Sequence, residues 1–300
     1  MTRTDASRWL QDHDRYFIVT HCGPDGDTVG SAAALCRGLR QLGKSAWIID
    51  DPEVPEKYAY LIEGLTKKEA DAADTVISVD VAAPHMLADE RYEHRLQLRI
   101  DHHSSATSFG ANELVDGGAA ACGEIVYDLL MLLGVKPDVP MANALYTAVS
   151  TDTGCFRYAN TTAHSYRVAA ACMEAGAELF PINQRLFDTN SLAKLRLQGW
   201  MAENTRLFEN GTLAVCALPR QVELDLGVTE DDMENISGFP RSIQGVKMAA
   251  TIRETGDGVK VSVRALPGWD AAQVCAKFGG GGHKGAAGAT VNMSMEEAKE

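Results

Sequence analysis

Short apolar runs rich in β-branched and aromatic residues recur early in this chain: YFIVT (16–20), SAWIID (45–50), TVISVD (75–80) and LQLRID (96–101). Each is too short for a helix of ordinary length, and each is followed by turn chemistry, so each reads as a strand. Between the first two lies GSAAALCRGLRQLG (30–43), where Ala33, Leu35, Leu39 and Leu42 approach helical spacing and Gly43 supplies a stop. Strands alternating with helices predict an α/β unit whose parallel sheet is covered by helices. After Ala121 the pattern turns helical in ACGEIVYDLLMLLG, PMANALYTAVSTD and TAHSYRVAAACMEAG, with Gly134 and Gly176 as natural ends.

Residues 1–190 are therefore expected to form one unit. Residues 191–208 read as a helical linker, and 209–300 as a smaller mixed α/β domain. The second domain is assembled from the strand-like TLAVCAL, VKMAATIRE and VKVSVRAL, the short helix WDAAQVCAKF and a glycine-rich turn. The closing MSMEEAKE reads as the first turn of a helix capped by Ser294.

In open parallel sheets, ligands bind beyond the carboxyl ends of the strands. The first run opens into His21-Cys22-Gly23-Pro24-Asp25-Gly26-Asp27, where the glycines and proline permit a bend that aims His21, Asp25 and Asp27 at one point. The third run ends in Asp80, a carboxylate that must be solvated, capped or coordinated if its strand is buried. The fourth ends in Asp101-His102-His103. There one imidazole can ligate a metal, the other can face substrate, and the acid can orient an imidazole from behind. Asp152, within TDTG (151–154), ends a helical segment. Singly, each residue has a structural explanation as a cap, an Asx turn or a surface histidine pair. Together, they are delivered to one edge of one sheet.

Four carboxylates and two imidazoles without a thiolate favour Mn²⁺, with Mg²⁺, Fe²⁺ or Co²⁺ as alternatives, over structural zinc. Six ligands suit two ions roughly 3.5 to 4 Å apart, the arrangement that clamps attacking and leaving oxygens in phosphoryl chemistry. Asp80 is expected to bridge, with His21 and Asp25 on one ion and Asp27, His102 and Asp152 on the other. His103, outside the cage, is expected to donate a hydrogen bond or proton near the scissile phosphate.

A net charge of −13 argues against a grip on long duplex DNA, which depends on neutralising phosphates with Lys and Arg. Local cations at Arg253, Arg264, Lys277 and Lys284 leave room for a small phosphorylated ligand. Arg264, in VSVRAL, is the expected bidentate phosphate binder. In GGGGHKGAAG (279–288), Gly279, Gly280, Gly281 and Gly282 would let backbone N–H groups approach an anion beside His283. The AAGAT that follows would start a helix or a strand. Seven scattered cysteines without a CxxC pair suggest reduced thiols rather than disulfides or a zinc knuckle. With a charged N-terminus and no apolar run of about 18 residues, the reading is a cytoplasmic protein without a membrane partner.

These motifs together resemble the DHH phosphoesterase superfamily and, within it, the bacterial nanoRNases that also remove the 3′-phosphate of adenosine 3′,5′-bisphosphate (pAp). HCGPDGDTVGS, the acid of ISVD, DHHSS, ACGE, TDTG and GGGGHKGAAG occur in the family's order over nearly the whole chain. The resemblance implies a parallel-sheet DHH domain and a C-terminal DHH-associated domain with the active-site cleft between them. It places the metal ligands on His21, Asp25, Asp27, Asp80, His102 and Asp152, and the substrate-facing histidine on His103. Arg264, Gly279 to Gly282 and His283 become binders of the terminal nucleotide. Mn²⁺ and short single-stranded RNA are implied as cofactor and substrate. Cyclic and linear dinucleotides such as c-di-AMP and pApA are the runner-up substrates, and a manganese pyrophosphatase would be expected to carry a more basic second domain. A catalytically idle nucleotide sensor has no need of six convergent ligands. A homodimer is left open.

Overall fold

A computed structural model describes residues 1–103, 108–233, 235–256 and 258–299. The chain divides into two compact units, Met1–Thr189 and Asn190–Glu300.

The first unit is built on β1 (Tyr16–Val19), β2 (Ala46–Ile49), β3 (Thr66–Lys67), β4 (Thr75–Val79), β5 (Leu96–Asp101) and β6 (Glu113–Val115). The sheet order is β3-β2-β1-β4-β5-β6, and its neighbouring strands run parallel. The chain winds outward from β1 to β3, then returns to begin β4 on the other side of β1. The boundary between β1 and β4 is thus a topological switch point, where a crevice opens beyond the strand ends.

Helices α1 (Arg3–Asp12), α2 (Gly26–Gln41), α3 (Glu56–Ile62), α4 (Cys122–Leu132), α5 (Val139–Asp152), α6 (Ala163–Glu174) and α7 (Leu179–Asn183) complete this unit. All of β1 and β4 is buried, which is why both read as continuous apolar runs rather than alternating ones. Tyr16, Ile18, Ile77 and Leu98 join the core with α2, α4 and α5, while Phe17, Val19, Val76 and Leu96 pack with Leu87 and Tyr92 on the opposite face. Helix α2 starts at Gly26, four residues before the periodic pattern suggested, because Asp25 caps it. Gly30 marks the tight approach of α2 to α5: a Cβ there would fall 2.4 Å from the Ala144 carbonyl oxygen.

The second unit holds α8 (Leu192–Asn204), β7 (Arg206–Phe208), β8 (Leu213–Leu218), α9 (Arg220–Leu226), β9 (Met248–Thr255), β10 (Gly258–Ala265), α10 (Ala271–Ala276), β11 (Gly281–Gly282), β12 (Ala286–Val291) and α11 (Met295–Lys299). Its sheet order is β11-β12-β10-β9-β8-β7, antiparallel except where β8 pairs with β9. The segment 191–208, read from sequence as a helical linker, packs within the second unit. Leu197 and Met201 of α8 are buried against Cys216, Leu218 and Ile236, and β7 is the edge strand of the second sheet. The helical pattern was legible, but its partner surface was not. Ser294 does cap α11: its N–H donates to Glu297 Oε2 at 2.9 Å, and its Oγ accepts from the Glu297 N–H at 3.3 Å.

Candidate metal centre

Three strand ends and one helix end meet at the switch point. Beyond β1, Asp25 caps α2, its Oδ1 accepting from the N–H groups of Asp27 and Thr28, each at 3.0 Å. The same Oδ1 lies 3.7 Å from His21 Nε2. Asp27, almost fully buried, accepts from the N–H groups of Cys122 and Gly123 at the start of α4, at 2.6 and 2.9 Å, and from Ser31 Oγ at 3.0 Å. Helix α4 thus presents its positive end to this carboxylate.

Beyond β4, Asp80 adopts a left-handed φ of 58°, which costs a non-glycine residue about 1 kcal/mol or more. Its N–H donates to the Ile100 carbonyl at 2.9 Å, so β5 holds it in that turn. It does not cap the Pro84–Met86 turn, whose N-cap position is Ala83. Asp80 Oδ1 lies 3.5 Å from His102 Nε2 and 3.7 Å from His103 Nδ1, while Oδ2 lies 3.9 Å from His21 Nε2. Asp152, the last residue of α5, brings its Oδ2 to 3.6 Å from His102 Nε2.

Both expected ligand histidines are oriented through their other ring nitrogen. His21 Nδ1 is 2.9 Å from the Cys22 carbonyl, and His102 Nδ1 is 3.3 Å from the Ala119 carbonyl. A ring that donates through Nδ1 leaves its Nε2 lone pair facing the carboxylates, as a metal-ligating imidazole does. Asp101, expected to orient an imidazole from behind, holds His103 rather than His102: its Oδ1 is 2.8 Å from His103 Nδ1 and also accepts the His102 backbone N–H at 2.8 Å. Ser104 and Ser105 of the DHHSS motif lie outside the described residues.

The residues fit divalent ions on several counts. Ligand atoms of His21, Asp25 and Asp80 lie within 4.8 Å of one another, as do those of Asp27, His102 and Asp152, and those of Asp80, His102 and His103. The separations of 3.5 to 3.9 Å around Asp80 are too long for good hydrogen bonds and suit donors grouped around an ion. Asp80 Oδ1 is buried and, among the described residues, no hydrogen bond reaches it. Leaving a buried carboxylate oxygen in that state is costly unless a cation supplies the missing partner.

The electrostatics agree. Burial, then the charge of Asp152, pushes Asp27 up to about 7. Burial, with Asp25 and Glu124 adding to it, pushes Asp152 up to about 6 although His102 pulls it down. Burial together with Asp27, Asp25 and Asp152 raises Asp80 well above the usual carboxylate range. For His102, burial favours the neutral ring, but Asp27 and Asp152 outweigh it and raise its pKa. These acids crowd one another, and divalent charge is the natural remedy.

In the second unit, the alternation of β10 puts Val259, Val263 and Ala265 in the core and turns Lys260, Ser262 and Arg264 to the other face. There they line a cavity of about 560 Å³ together with Thr251, Arg253, Gly281 and Gly282. Lys260 and Ser262 were not singled out from sequence, although their spacing with Arg264 on a strand was the available signal.

Several sequence expectations change here. Gly279, Gly280 and His283 do not line the cavity, and their N–H groups donate to Ala276, Cys275 and Ala286 carbonyls at 3.2, 3.0 and 2.8 Å. These three amides are thus engaged within the second unit, while Gly281 and Gly282 of the same loop line the cavity. AAGAT begins β12, so it supplies no helix N-terminus to the loop. Arg253 is engaged by Glu223 and Glu230, each with one contact at 2.7 Å. Lys277 and Lys284 stand outside the cavity lining.

Comparison with known proteins matches residues 15–150 to the DHH family, N-terminal domain, and residues 210–300 to the DHHA1 domain. A bifunctional oligoribonuclease and PAP phosphatase NrnA of Thermus thermophilus is 35% identical over 292 residues, spanning 95% of this chain and 86% of the relative. The Bacillus subtilis protein of that name is 28% identical, spanning 99% of this chain and 95% of its own. Among solved structures, an exopolyphosphatase-related protein from Bacteroides fragilis superposes with a TM-score of 0.89 at 24% identity, covering 99% of this chain and 93% of that one. Exonuclease RecJ bound to manganese shares the fold at a TM-score of 0.54 and 14% identity, covering 96% and 90%.

Proposed function

The chain belongs to the DHH family, with a DHHA1 domain after its DHH domain, and is thereby a metal-dependent phosphoesterase. From that premise we propose that it hydrolyses short oligoribonucleotides to mononucleotides and removes the 3′-phosphate of pAp. The observation that carries this reading is the convergence on Asp80 of two imidazole Nε2 atoms, His21 and His102, each fixed through its opposite nitrogen.

In this reading, His21, Asp25, Asp27, Asp80, His102 and Asp152 would hold two ions, Asp80 belonging to both ligand groups, and Mn²⁺ would suit such oxygen and nitrogen donors. Bound there, the ions supply Lewis-acid polarisation of the phosphoryl group and a lowered pKa for the attacking water. Asp27 is kept rigid by the α4 amides, and Asp80 by its bond to Ile100. His103, anchored to Asp101 through Nδ1, offers Nε2 toward substrate as a donor to the departing oxygen. Arg264 and Lys260, which line the cavity of the second unit with Gly281 and Gly282, offer cations for a substrate phosphate. Among the described residues the seven cysteines are free, which favours the reducing cytoplasm.

The test supplies purified protein and Mn²⁺ with a labelled RNA pentamer, pAp, pApA, c-di-AMP and pyrophosphate in parallel. Fastest turnover of the pentamer and pAp is expected. Fastest turnover of pyrophosphate or of c-di-AMP, or turnover of none, would overturn the reading.

A further inference from the structure

Arg99 is among the largest fully buried side chains in the protein, a charged group inside the apolar strand β5. Removing a guanidinium from water is costly unless its donors are matched, so what it touches is informative. Its Nε donates to the Val81 carbonyl at 2.9 Å, one residue beyond Asp80. Its Nη2 is hydrogen-bonded to Asp101 Oδ2. Its Nη1 lies 3.6 Å from Glu113 Oε1, and the guanidinium stacks 4.7 Å from the Phe109 ring.

Arg99 and Asp101 are two residues apart on one strand, so the pleat puts both side chains on the same face. Asp101 is itself fully buried, and its second oxygen engages both the His102 N–H and His103 Nδ1. One oxygen of this carboxylate is therefore spent on Arg99 and the other on the histidine pair. Without the guanidinium, the carboxylate is free to turn about its terminal torsion, and His103 loses its fixed partner.

We propose that Arg99 is a positioning residue that acts through Asp101 to hold the His103 ring in one orientation, with Nδ1 against the Asp101 carboxylate. This rests on the reading of His103 as the substrate-facing histidine. A purely structural arginine would stabilise the unit without setting the state of one imidazole, and that difference can be measured.

The variants are Arg99→Met, Arg99→Lys, Asp101→Ala and the double variant Arg99→Met with Asp101→Ala, all in the full chain. The first readout needs no substrate. In ¹H–¹⁵N spectra of histidine side chains of the metal-free protein, the His103 Nδ1–H signal is identified by its loss in His103→Gln. It is expected to be strongly hydrogen-bonded in the wild type, absent in Arg99→Met and partly retained in Arg99→Lys. An unchanged signal in Arg99→Met overturns the proposal.

The second readout is hydrolysis with Mn²⁺. Arg99→Met is expected to lower kcat about 10²-fold, the scale of a small misplacement of a reacting group, with KM and metal content within about twofold of wild type. The double variant should lose no more than Asp101→Ala alone. Losses that multiply, or a loss that follows metal release, overturn it. Should Arg99→Met fail to fold by circular dichroism, Arg99→Lys carries both readouts, with kcat about tenfold down expected and wild-type values overturning the idea. Inactivity of the wild-type enzyme on every substrate counts against the functional reading, while the His103 signal still decides the role of Arg99.

Discussion

The switch-point cage of the first unit and the glycine-rich loop of the second both looked like ligand sites, yet they spend their polar groups in opposite ways. In the cage, the hydrogen bonds stand behind the ligands: Ala119 behind His102, Cys122 and Gly123 behind Asp27, Cys22 behind His21. Ligand atoms are left facing one another across 3.5 to 3.9 Å. In the loop, the N–H groups of Gly279, Gly280 and His283 are consumed in capping α10 and closing the turn to Ala286. A buried site is built when the backbone has been satisfied elsewhere and side chains remain to be satisfied.

The sharpest way to break this contrast is Asp80→Ala. It removes the carboxylate shared by two ligand groups, and Mn²⁺-dependent turnover should fall by about four orders of magnitude, comparable to loss of a residue that acts within a catalytic unit. Near-native kcat, with bound metal counted by mass spectrometry, would show that Asp80 is not the bridge.

A second effect concerns pH. Asp27 at about 7 and Asp152 at about 6 hold protons in the metal-free fold that the unfolded chain, with carboxylates near 4, has already released. Stability of the metal-free protein should therefore rise as pH falls from about 8 to 5, by on the order of 2 kcal/mol. With saturating Mn²⁺ the trend should reverse, because protons then compete with the metal. Thermal melts at both pH values, with and without Mn²⁺, check the sign. A metal-free protein that weakens on acidification would mean the acids are not crowded.

In the second unit, Arg264→Ala should raise KM for the RNA pentamer about tenfold or more, the loss of a charge-assisted phosphate contact, while metal content stays intact. Loss of metal would show the arginine to be misassigned. The smallest effects separate packing glycines from permissive ones. A Cβ at Gly280 would fall 2.2 Å from the Gly288 carbonyl, whereas one at Gly281 meets nothing within 4 Å. Urea unfolding should find Gly280→Ala destabilised by about 2 kcal/mol and Gly281→Ala within about 0.5 kcal/mol of wild type.

The strands that deliver the cage were legible because the sheet buries them on both faces, leaving continuous runs such as TVISV that no helix of ordinary length explains. The edge strands β3 and β6, two and three residues long, carry too little pattern to be seen. Arg99 was present in LQLRID but reads as a blemish in an apolar strand until Asp101, Val81 and Glu113 are seen around it. The 191–208 segment announced its helix but not the core that Leu197 and Met201 enter.

Sequence alone determined which residues stand at the carboxyl ends of the strands, because strand periodicity and turn chemistry are local properties. That places His21, Asp80 and His102 on one edge of the sheet. Only the tertiary structure decided which nitrogen of each imidazole faces inward, which acid holds which histidine, and which glycine amides were already taken. Those depend on backbone groups far away in sequence, such as Ala119 beside His102, that come near only when the chain is folded.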